Sequence, residues 1–340
     1  MDSLTLKINT MLFYLTKSLV VEPKDTEYIS IYQAVHNLAS SVISCNHLLA
    51  GDLEALIHFK DIFKNDLIVY PLFNKLYQNY ATEPIPTCLT YYIEIVKDNP
   101  HPRYNGHIKV QQILYSDLMD SDHCVKSQLV CEDLNDGAFF IHVLEWYINK
   151  TRNNISFALH KVDGGGRNTY RAIENEIKDK HCTISIVDTD MKYQTDIPAV
   201  DSTCSLCANL RINSPIYNFL PLQVHETENL IPLNYINEFD IWTNGSSKDK
   251  NNKKAFDYLR IDAENVLPYF DYKKGIKKND FYNNNPDFQI FARHCFSLNL
   301  DYITAYSNFE AYVDCIGKDQ WIYPCLIGGS GVMTRLINMI

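Results

Sequence analysis

Three groups of acids each follow a short apolar run. Glu132 and Asp136 come after residues 126–131, Asp188 and Asp190 after residues 182–187, and Glu226 and Glu228 after residues 216–224. Carboxylates gathered without counter-charge repel one another, so a convergent set is a natural ligand for a hard divalent cation. Such a cation lowers the pKa of an attacking water and polarises a phosphoryl oxygen, the chemistry of phosphodiester hydrolysis. Alternation along an extended chain sends Asp188 and Asp190 to the same side. Glu226 could hold a second metal, with Glu228 and Asn229 orienting it; the competing reading of this segment is a helix start with acids at its positive end.

The elements that must position these acids alternate in type. Residues 126–131, 155–160 and 182–187 read as strands, with apolar-periodic helices over 139–148 and 168–178 between them. Strands alternating with helices of this length imply an α/β fold with a parallel, doubly wound sheet, which gathers reactive groups at the carboxyl ends of its strands. Gly164, Gly165, Gly166 and Arg167 lie between the second strand and its helix. They read either as a turn or as a phosphate cradle, although the Lys-Ser/Thr ending of a P-loop is missing.

Glu132 with Asp136 four residues later, a glycine turn opening a helix, and Asp188-Thr189-Asp190 after an apolar strand resemble the Toprim domain of topoisomerases, primases and OLD-type nucleases. The resemblance covers about a third of the chain and is nearest to nuclease effectors of bacterial anti-phage defence, OLD-type and PARIS-type. It implies Mg²⁺ or Mn²⁺ held by Glu132, Asp188 and Asp190, with Glu226 on a second ion. Glu132 would act as catalytic acid or base, Asp136 as a supporting ligand, and Lys192 or Arg167 would stabilise developing charge. Asp133 stands where that family usually has glycine. The implied substrate is DNA or RNA, tRNA included. The implied partners are an ATPase or another defence-operon subunit, with a second copy of the chain as a further candidate. A catalytically degenerate scaffold of the same fold is the rival reading.

Around this core, residues 1–125 read as a helical assembly or sensing domain, with helices over 32–49 (stopped by Gly51), 53–63 (capped by Asp52), 67–77 and 87–97. The Arg-x4-His signature of a helical ribonuclease is absent from this region. Residues 126–235 form the Toprim-like unit, and 236–340 a mainly helical C-terminal region. That last region interleaves aromatic residues with Lys253, Lys254, Lys273 and Lys274, the most concentrated positive stretch in a chain of net charge −10. A net acidic protein must bind a polyanion through a local patch, so these lysines are the nucleic-acid candidates; the bland alternative is a solvated loop. Cys204 and Cys207 have zinc-like spacing without a second ligand pair, and idle thiols are the better reading. A hydrophobic content of 46% with 21% charge over 340 residues excludes disorder, collagen and coiled coil as the main architecture and leaves room for two domains. No secretory signal order and no apolar run of spanning length occur, so the expected location is cytoplasmic, away from membranes.

Overall fold

The computed structural model describes residues 11–80, 91–105, 108–120, 124–151, 158–232, 267–269 and 333. They build two parallel-rich sheets with helices packed on them, an α/β architecture. The N-terminal sheet contains β1 (Leu12–Leu15), β2 (Leu48–Gly51), β3 (Tyr91–Val96), β4 (Arg103–Asn105) and β5 (Ile108–Leu114), in the order β2-β1-β3-β5-β4. All neighbours are parallel except the β4 edge. Helices α1 (Tyr28–Ile43), α2 (Leu53–Ile62) and α3 (Tyr70–Asn79) share one core with Phe13, Leu15, Leu49, Ile93, Ile95 and Ile113 from these strands.

The helical reading of the N-terminal region is therefore corrected. Three of its helices form, but residues 91–96, expected inside a helix, are strand β3. The segment Tyr-Tyr-Ile-Glu-Ile-Val is buried at all six positions, and its aromatic and β-branched side chains fit a pleated surface covered on both faces. The long first helix also ends early. Cys45 takes a left-handed backbone (φ 61°) while the amides of Cys45 and Asn46 donate to the Val42 and Ser41 carbonyls, which closes α1 and turns the chain into β2. Inside this sheet Glu94 is buried, with its carboxylate satisfied by the Arg103 guanidinium and by Gln112 Nε2 at 2.7 Å.

The second sheet contains β6 (Ser127–Cys131), β7 (Leu159–Asp163), β8 (Thr183–Val187) and β9 (Tyr217–Pro221), in the order β7-β6-β8-β9 and parallel throughout. Its central strands β6 and β8 are buried along their whole length, as Ser-Gln-Leu-Val-Cys and Thr-Ile-Ser-Ile-Val demand of strands covered on both faces. Helix α4 (Leu134–Thr151) packs Phe139, Phe140, Val143 and Leu144 in the core that holds Leu129, Ile184 and Ile186. On the other face α5 (Thr169–Lys178) and α6 (Thr203–Asn213) bring Ile173, Cys204 and Cys207 against Val130, Val187, Tyr217 and Phe219. The strand expected over 155–160 begins four residues later, at β7, and α6 was not expected. Among the described residues no helix is long and apolar enough to cross a membrane.

Candidate carboxylate centre

Because β6, β8 and β9 are adjacent and parallel, their carboxyl ends share one edge, and that edge carries the acids. Glu132 follows β6 directly, and Asp136 sits buried in the first turn of α4. Asp188 follows β8. Beyond β9 the chain continues beside the β8 exit: Leu222 N donates to Val187 O (3.0 Å), Thr189 Oγ1 to Val224 O (2.6 Å), and Thr189 N and Asp190 N both to His225 O (3.2 and 2.9 Å). This clamp delivers Glu226, Thr227, Glu228 and Asn229, all buried, next to Asp188.

Glu226, Thr227 and Asn229 are held by their neighbours. Thr227 donates to Asp188 Oδ1 from its amide (3.0 Å) and its hydroxyl (3.2 Å). Glu226 and Asn229 cap each other: Asn229 Oδ1 accepts the Glu226 amide at 2.8 Å, and the Glu226 carboxylate accepts the Asn229 amide. Burial pushes the Asp188 acid well above the usual carboxylate range, and the charges of Glu132, Asp136, Glu228 and Glu226 push it further. Four carboxyl groups thus bear on Asp188. The donor chemistry fits a hard divalent cation, whose charge would reverse that repulsion. Among the described residues, no three His, Cys, Asp or Glu side chains already stand as a ready-made coordination group.

Asp190 departs from the expectation. Its backbone is left-handed (φ 54°), which breaks the alternation that an extended Asp188-Thr189-Asp190 would have. The side chain is 65% exposed, and His225 Nε2 lies 3.9 Å from its carboxylate. Lys192 and Arg167 are exposed, and neither makes an ion pair with the acids among the described residues.

The glycine turn is structural. Gly164 N donates to Cys131 O (2.8 Å), Gly165 N to Asp163 Oδ1 (2.9 Å) and Gly166 N to Glu132 O (2.9 Å). All three amides that a phosphate cradle would offer are spent inside the protein, which favours the turn over the cradle for Gly164, Gly165 and Gly166. What the turn does is fasten the backbone of Cys131 and Glu132. A Cβ on Gly164 would lie 2.4 Å from both Cys131 O and Thr169 Oγ1, while Gly165 and Gly166 have φ of 69° and 61°.

Thr227 was not singled out from the sequence; its only signal was its place beside Glu226. Cys204 and Cys207 sit in the first two turns of α6, where the Ser202 hydroxyl caps the Ser205 amide at 3.2 Å. Burial, then the charge of Glu132, raises both thiols, to about 11 at Cys204 and about 12 at Cys207, so they border the carboxylate centre as neutral groups. Lys253, Lys254, Lys273 and Lys274, and the rest of the C-terminal region 236–340 expected to be mainly helical, lie outside the described residues apart from a single 3-10 turn at Leu267–Tyr269 and residue 333. Compared with known proteins, the chain matches no family model, no curated protein and no solved structure.

Proposed function

We propose that the protein is a Toprim-like, metal-dependent phosphodiesterase acting on nucleic acid, an effector nuclease of the kind used in anti-phage defence. The observation that carries this reading is the gathering of Glu132, Asp136, Glu226 and Glu228 around Asp188 at the ends of three adjacent parallel strands. Glu132, Asp188 and Glu226 would hold Mg²⁺ or Mn²⁺, with Asp136 and Glu228 supporting them. The bound ion supplies charge neutralisation at the phosphate and acidification of water. Thr227 fixes the Asp188 carboxylate, the Glu226–Asn229 cap fixes the glutamate, and the glycine turn fixes the backbone that bears Glu132. Glu132 is only partly covered, so an attacking water can reach it and give up a proton. Arg167, exposed directly after the turn, is the cation this reading assigns to the scissile phosphate. The lysines at 253, 254, 273 and 274 supply the path for the polyanion.

One observation favours a second reading, a catalytically degenerate Toprim scaffold in a larger defence complex. Asp190, which the Toprim resemblance makes a ligand, points into solvent. Incubation of wild type and Asp188→Ala with DNA, RNA and tRNA in Mg²⁺ or Mn²⁺ separates the two. Cleavage by wild type alone supports the enzyme. Equal inertness, or equal cleavage, of the two proteins sinks it.

A further inference from the structure

Strand β7 ends the second sheet, and among the described residues no strand lies outside it. An open edge presents unpaired main-chain donors and acceptors, a template for another strand. β7 reads Leu159-His160-Lys161-Val162-Asp163, and His160, Lys161 and Asp163 are exposed. Lys161 and Asp163 are two residues apart and stand on the same face of the sheet. The Lys161 stem runs past Gly137 of α4, and Lys161 makes no ion pair within the described residues. Asp163 uses one oxygen for the Gly165 amide. The edge therefore displays a cation and an anion, evenly spaced about Val162.

That spacing is self-complementary. When two copies of β7 run antiparallel about a two-fold axis at Val162, residue 161 of each faces residue 163 of the other. Lys161 then stands directly opposite Asp163 of the second copy, twice, in cross-strand pairs of opposite charge. A register shifted by two residues places like charges opposite one another, Lys161 on Lys161 or Asp163 on Asp163, which fixes the pairing. We propose that the protein forms a two-fold dimer by antiparallel pairing of β7 edges, joining two four-stranded sheets into one continuous sheet. The interface is short, so the dimer is a weak one whose population follows protein concentration. The inference stands independently of the nuclease reading.

Analytical ultracentrifugation of the full chain over a concentration series tests it. Wild type should shift from monomer to dimer, and Lys161→Asp, which lines the interface with acids alone, should raise the dissociation constant about tenfold or more. Asp163→Lys alone should fail in the same way. An equimolar mixture of the two variants should pair again, because both acids of the first variant then face both lysines of the second across the heterodimer. A monomeric wild type at sub-millimolar concentration overturns the proposal and leaves the edge to a strand of another protein. So does a dimer that Lys161→Asp leaves unchanged, or a mixture of folded variants that does not associate. If Asp163→Lys loses its turn and melts early by circular dichroism, Lys161→Asp, changed only at an exposed position, still decides the outcome.

Discussion

Asp188 is the residue on which the centre turns, and its surroundings predict how stability responds to its charge. Its acid is raised in the folded chain, so the folded state holds the proton to higher pH than the unfolded chain does. This contribution to stability is fully present below the ordinary carboxylate pKa and is lost as pH rises through the folded value, so metal-free protein should weaken from about pH 4 upward. Asp188→Asn keeps an oxygen for Thr227 and removes the charge. It should stabilise the metal-free protein at neutral pH by about 1 kcal/mol or more and flatten that pH dependence. The same variant should lose most of the rise in melting temperature that Mn²⁺ gives wild type. Thermal denaturation at several pH values, with and without Mn²⁺, measures all three; equal Mn²⁺ shifts in both proteins would count against ion binding here. Glu132, Asp188 and Glu226 were legible in the sequence because each follows an apolar strand. The outward turn of Asp190 was not, because it depends on one backbone angle that no spacing rule encodes. Thr227 was hidden for a different reason: its partner lies thirty-nine residues away in the chain.

At the scale of elements, the alternation of strands and helices from β6 to β8 could be read directly, since the buried five-residue runs of β6 and β8 and the amphipathic helices between them differ in length as well as in period, whereas α6 was missed. Strand β3 could not. Its six consecutive buried residues carry no period, and only the neighbours β1 and β5 decide that they are extended. The glycine turn shows how an element can be recognised while its use stays open. Three glycines signal tight backbone, and only the hydrogen bonds reveal that the tightness serves the strand end. Gly164 and Gly166 should therefore differ on substitution. Gly164→Ala drives a Cβ into a carbonyl oxygen and should cost about 3 kcal/mol, whereas Gly166→Ala meets open space and suffers only its left-handed backbone, about 1–2 kcal/mol. Urea unfolding of the two variants gives the ranking, and the reverse order would contradict the turn geometry.

Across the whole molecule, the two sheets, which lie in regions that the sequence suggested as separate units, the first of them helical, share one hydrophobic core. It runs from Met11, Phe13 and Phe59 through Phe139 and Ile184 to Val224, Leu230 and Ile231. The Tyr91 hydroxyl on β3 also donates to the Pro215 carbonyl ahead of β9. Composition and length pointed to two domains, but nothing in a linear sequence reports that separate sheets bury their faces together. The core residues Val224, Leu230 and Ile231 flank the segment that carries Glu226, Glu228 and Asn229. An ion held by that segment would thereby be coupled to the opening of the N-terminal sheet. Amides of β1 and β3 that exchange with deuterium only when the whole molecule opens should slow in Mn²⁺ by the same factor as those of β6 and β8, although they lie in a different sheet from the acids. Slowing confined to β6, β8 and β9 would mean that the two sheets breathe separately, each with its own clock.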